Sequence, residues 1–164
     1  MTDRSSPYNQ TDGEARGIAH KLLRDATTAA LAVTEADTGA PFVSRIGFGL
    51  SPEGVPMTLI SDLALHSRAL RNDPRAALLI GEAGSRGDPL THPRLTIRAT
   101  ARFVLRNEVD HHALRAAWLG THPKATLYVD FADFHFVLFD IVSGHLNAGF
   151  AKAYALDQKD LTVR

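Results

Sequence analysis

Val55 to Glu82, VPMTLISDLALHSRALRNDPRAALLIGE, is the stretch from which the rest of the chain can be read. Its first run, Val55-Pro56-Met57-Thr58-Leu59-Ile60-Ser61, is apolar and partly β-branched, the composition of a buried strand. Ser61 and Asp62 are both good N-cap residues. A helix is expected after them, with Leu63, His66, Ala69 and Leu70 spaced for one face. Asn72-Asp73-Pro74 closes it, because the residue before a proline is pushed out of the α region. Arg75 to Ile80 resumes as a strand. The turn gathers Ser61, His66, Ser67, Arg68 and the free N–H groups of a helix start, where the helix dipole favours a phosphate. A plain capped helix joining two strands accounts for the same residues equally well.

On the N-terminal side, residues 1–13 are polar and contain Pro7, Asn9 and Gly13, so a flexible arm is expected. Glu14 to Ala26 places Ile18, Leu22 and Leu23 at helical spacing among Arg16, His20, Lys21 and Arg24, an amphipathic helix. Thr27 to Glu35 is a short apolar strand. Phe42 to Leu50 alternates, with Phe42, Ser44, Ile46 and Phe48 opposite Val43, Arg45 and Gly47. On the C-terminal side, Ala83 to Pro93 is a long loop of the sort that is often functional or mobile. Arg94 to Leu105 alternates as a strand. Glu108 to Leu119 is a second helix, and Thr121 to about Val129 a shorter one. Phe134 to Val142 is an aromatic-rich strand, and Leu156 to Arg164 reads as a tail. Six strands in a meander with helices at the periphery predict a mainly β, six-stranded antiparallel split barrel rather than a parallel doubly wound sheet.

Composition narrows the function classes. Eighteen basic residues balance eighteen acidic ones, so no overall field draws in nucleic acid or an anionic membrane. The absence of cysteine removes disulfides and thiolate chemistry and fits a reducing compartment. With no basic-then-apolar leader and no apolar run of spanning length, a cytoplasmic protein is expected.

The order of motifs resembles the FMN-binding split-barrel superfamily of pyridoxamine 5'-phosphate oxidase, and within it the HugZ-like haem-utilisation branch. The resemblance is carried by PFVSRIGFGLSPEGVPMTLISDLALHSRALRNDPRAALLI, GDPLTHPRLTIRATARFV and THPKATLYVDFADFHFVLFDIVSGHLNAGFAKA. It implies one split-barrel domain over residues 14–153, a tail at 154–164, and a homodimer with flavins in clefts between subunits. Residue by residue, it implies that Val43, Ser44, Arg45 and Ile46 run beside the isoalloxazine ring. Ile60 and Ser61 would end beside the ribityl chain, His66 and Ser67 would grip the phosphate, and Arg94 would reach the ring from the partner-side strand. Two features depart from the oxidase pattern. His66 and Ser67 stand where that branch has two basic residues, and a histidine with a serine holds a dianion less firmly than two cations. The end of the chain, LNAGFAKAYALDQKDLTVR, lacks the paired arginines of the vitamin B6 substrate site, so a true pyridoxamine 5'-phosphate oxidase is not expected. Haem-degrading activity, associated with an extra C-terminal domain in longer relatives, is not assumed either.

The expected function is therefore an FMN-dependent oxidoreductase acting on a small-molecule substrate that the sequence does not name. The alternative is a haem- or flavin-binding protein without turnover, in which His145 or His135 ligates iron. No catalytic residue is assigned. The adjacent His111 and His112 point about 100° apart on a helix and suit a shared ion poorly, so no metal site is expected. Asp130 and Asp133 either order a cleft edge or belong to an ordinary loop. Trp118 reads as helix packing.

Overall fold

The computed structural model describes residues 7–163, and it forms the expected antiparallel barrel from eight strands rather than six. The strands are β1 (Thr28–Thr34), β2 (Pro41–Gly47), β3 (Gly49–Leu50), β4 (Pro56–Ser61), β5 (Arg75–Ile80), β6 (Arg94–Phe103), β7 (Phe134–Asn147) and β8 (Ala153–Leu156). Their order is β2-β1-β5-β6-β7-β4-β3, with β8 added beside β7. The count differs for two physical reasons. The expected strand 42–50 is broken at Phe48, whose N–H turns to the Thr27 carbonyl at 2.8 Å, so its first part pairs with β1 and its last two residues with β4. That single run therefore forms both ends of the sheet and curls it into a barrel. β8 is the second addition, formed by residues expected at the domain's end and in the tail.

Three helices surround the sheet: α1 (Gly13–Asp25), α2 (Leu65–Asn72) and α3 (His111–Thr121). The Asp12 carboxylate accepts from the Ala15 N–H at 2.8 Å and starts α1. Two cores result. The barrel interior packs Leu31, Phe48, Leu78, Ile97, Val137 and Phe139 with α1 and α2. A second core lies under α3, where Met57, Leu59, Phe136 and Leu138 on the opposite face of β4 and β7 meet Leu114 and Trp118. Alternate residues of β4 and β7 thus serve different cores, as the two-residue period of a strand requires.

Both chain ends are tied to the barrel where the structure describes them. Asn9 donates its N–H to the Ala153 carbonyl at 2.8 Å, and Thr11 donates its hydroxyl to the Ala155 carbonyl at 3.0 Å. Residues 1–6 of the expected arm lie outside the described residues. The segment read as a tail carries most of β8 and buries Leu156, Leu161 and Val163 in the interior core. Gly144 makes room for it, since a Cβ there would stand 2.6 Å from Leu161 Cδ1. Among the described residues no helix is long and apolar enough to cross a membrane.

Candidate functional site

The helix that opens the site begins later than its sequence suggests. Ser61 and Asp62 are not its N-cap: α2 starts at Leu65, with Ala64 as a cap that offers no side-chain bond. The two residues extend the sheet instead. Ser61 still pairs with Phe134, and the Asp62 N–H donates to the Asp133 carbonyl at 2.7 Å. The ladder competes for the same backbone groups as a helix start, and here the ladder wins.

α2 lies across one mouth of the barrel, its Ala69 and Leu70 pressed into the interior core. On the β2 side, Ser44 Oγ and His66 Nδ1 stand 3.0 Å apart. On the opposite side, Arg71 donates to Asp62 at 2.7 Å and covers the Phe103 ring at 4.0 Å, while His135 Nε2 lies 2.8 Å from the other Asp62 oxygen. Partial burial works to raise the Asp62 carboxyl, but the hydrogen bonds from Arg71 and His135 outweigh it and hold the group below its ordinary value. For His66, burial pushes the imidazole below its ordinary value, so it is neutral at neutral pH.

The hydroxyls of the junction are engaged within the chain. Ser61 Oγ donates to the Asp133 carboxylate at 2.5 Å and accepts from the Leu63 N–H at 3.1 Å. Ser67, only 1% exposed, donates to the Ser61 carbonyl at 2.6 Å. The structure thus brings Ser44, Ile60, Ser61, His66 and Ser67 to one mouth. Ile46 and Ile60 point into the interior core. The edge of β2 away from β1 stays open, because residues 41–47 end the sheet order.

Arg45 and Arg94 are not part of this cluster. Arg94 begins β6 opposite Asn147, at the other end of the barrel, and donates to the Leu90 carbonyl at 2.9 Å. Val43, 63% exposed, and Arg45 point outward from β2, as the alternation requires. Cross-strand partners share a face, so the pairings define outward rows. One row runs Arg45, Ala30, Leu79, Thr96, His145, and the next runs Val43, Ala32, Ala77, Arg98. Alanines leave the floor flat. A groove of about 590 Å³ lies along the second row over Ala32 and Ala77, flanked by Arg75, Arg98, Pro41 and Val142, while Arg45 lines a smaller cavity with Ala30 and Leu79. Arg75 pairs with Asp73, whereas the guanidinium groups of Arg45 and Arg98 have no partner among the described residues. His145 is one strand over from Arg98 and two residues along, a diagonal of about 7–8 Å between backbones. Its ring is 5.4 Å from that of Tyr8.

Sequence reasoning did not single out Arg98, which lies in the alternating strand 94–105. It also missed the Asp62–Arg71–His135 cluster. Asp62 and His135 are 73 positions apart, and no local pattern links them.

The profile of the pyridoxamine 5'-phosphate oxidase family matches residues 18–146, and the chain belongs to that family. Over 99 residues it is 37% identical to the chloroplastic noncanonical heme oxygenase HOZ of Arabidopsis thaliana, a match covering 60% of this chain and 29% of the relative. The structure of a heme binding protein from Mycobacterium smegmatis is similar at 25% identity, with a TM-score of 0.83 over 93% of this chain and 62% of that one. Campylobacter jejuni ChuZ shares the fold at 20% identity, TM-score 0.82, covering 94% and 63% of the two chains. The chain spans less than two thirds of the length of each of these three.

Proposed function

We propose that this member of the pyridoxamine 5'-phosphate oxidase family binds haem, as a homodimer whose cleft is walled by the outer sheet face and the open edge of β2. The observation that supports it most is the pair of outward rows. They offer a flat floor of Ala30, Ala32, Ala77 and Leu79, unpaired Arg45 and Arg98 for carboxylates, and His145 diagonal to Arg98. Such a surface suits a planar tetrapyrrole with two acidic groups, since arginine grips a carboxylate through two parallel bonds and neutral imidazole ligates haem iron. The relatives from Arabidopsis and Mycobacterium, both named for heme, favour the same ligand. The apolar outward residues Val43 and Val142, 63% and 62% exposed, favour a second copy over this face.

Flavin binding is the second reading, favoured by family membership and by the unpaired β2 edge beside α2, whose backbone groups suit an isoalloxazine ring. Bound flavin would supply electron or hydride transfer to a small substrate, and the chain would hold and orient the ring. Titration with haemin and with flavins, followed by absorbance, separates the two. A saturable Soret shift at one haem per subunit, weakened in His145→Ala, is expected. Saturable flavin binding without any Soret shift would reverse the ranking. Sedimentation showing a monomer at micromolar concentration would overturn the dimer.

A further inference from the structure

We infer that Asp133, fixed by the Ser61 hydroxyl, is a specificity-determining residue that keeps a phosphate dianion out of the β4–α2 junction. The family's FMN implies a phosphate at this place, and the residues present do not fit one. Both serine hydroxyls that would grip it are already engaged, and His66 is held through one of its two ring nitrogens. Ser61 donates to Asp133, Ser67 donates to the Ser61 carbonyl, and His66 is hydrogen-bonded to Ser44. Of the two arginines of α2, Arg71 is held by Asp62, and Arg68 lines a small cavity with Leu65, Glu35 and Asp37. His66 Nε2, Arg68 and the backbone N–H groups at the start of α2 remain to attract an anion, and the Asp133 carboxylate is held on Ser61, whose hydroxyl oxygen also accepts from the Leu63 N–H that leads into the helix. Asp62 is paired with Arg71 and hydrogen-bonded to His135, but Asp133 has no ion pair among the described residues. Its charge lies one hydrogen bond from Ser61, on the segment that leads into α2. Like charges at such range repel strongly wherever water is partly excluded.

The planar ligand of this cleft therefore carries its acidic groups to Arg45 and Arg98 and no phosphate to α2. This presupposes the planar-cofactor cleft proposed above, and the test separates the two. Riboflavin and FMN are titrated against the unaltered protein, Asp133→Asn and Asp133→Glu by flavin fluorescence. In parallel, inorganic phosphate is titrated while the amide resonances of Leu65 and His66 are followed. Asparagine keeps an acceptor for Ser61 and removes the charge; glutamate keeps the charge. The unaltered protein is expected to bind FMN no more than threefold better than riboflavin. Asp133→Asn should tighten FMN at least tenfold with riboflavin changed less than twofold, and Asp133→Glu should leave FMN weak. FMN bound tenfold better than riboflavin by the unaltered protein, or an unchanged FMN affinity in Asp133→Asn, would overturn the assignment. If no flavin binds any form, the flavin reading fails and the amide shifts decide. A saturable shift confined to Asp133→Asn supports the exclusion, and a shift in the unaltered protein, or in neither, refutes it.

Discussion

The β4–α2 junction and the outer sheet face carry similar polar side chains and use them in opposite ways. At the junction, Ser44, Ser61, Asp62, His66 and Ser67 are hydrogen-bonded to one another or to nearby elements. On the outer face, Arg45 and Arg98 stand beside alanines with no partner among the described residues. A buried or half-buried polar group must be satisfied internally, since leaving it unpaired costs about 1–3 kcal/mol. An exposed arginine is satisfied by water and stays available. Polar residues near a cleft are thus a poor guide to ligand contact until their internal partners are known. The polar groups of the junction hold α2 in place, and the outer face keeps two arginines without an internal partner among the described residues.

The sharpest way to break this contrast is to unseat α2. Leu70 is 2% exposed, so Leu70→Ala should lose about 2–5 kcal/mol in urea unfolding. Leu79→Ala, at a 43% exposed position of the outer face, should lose within about 0.5 kcal/mol in the isolated chain. A larger and concentration-dependent loss at Leu79 would instead mark that face as buried between two copies. Next in size is Arg98→Gln, expected to weaken haemin about tenfold, or about 1.4 kcal/mol, without moving the unfolding midpoint. An unfolding shift with unchanged haemin affinity would make Arg98 a structural residue like those of the junction.

Ser67→Ala should cost about 0.5–1.5 kcal/mol of stability by removing the donor to the Ser61 carbonyl. It should leave haemin affinity unaltered, which equilibrium titration checks. The smallest effect is expected from pH. Burial lowers the folded-state values of His66 and of His111, the latter also under the nearby charge of Arg106. The unfolded chain, titrating near 6.5, then binds more protons than the folded one at acid pH. The stability these two groups contribute is present above about pH 6.5 and is lost as pH falls through their lowered folded values. His66→Gln should reduce that slope in urea titrations between about pH 7 and pH 5, and an unchanged slope would place the titrating group elsewhere.

Much of the architecture was legible in the residues themselves. Alternation in 42–48 and 94–103 divided each run between two opposite faces, and the strands keep that division, because successive strand residues point to opposite faces whatever the tertiary setting. The amphipathic first helix and the Asn-Asp-Pro stop of α2 followed from equally local rules. Tertiary structure alone decided the rest. Whether Ser61 caps a helix or ends a strand depended on Asp133, 72 positions away, competing for its hydroxyl and extending the ladder. The break at Phe48 depended on a strand turning from β1 to β4, where Gly47 and Gly49 on either side let the chain pass against Trp118. Leu156 and Leu161 looked like a tail until the barrel offered a core for them beside Gly144. Local rules fix which groups a residue presents; only long-range pairing determines which of those groups are already taken.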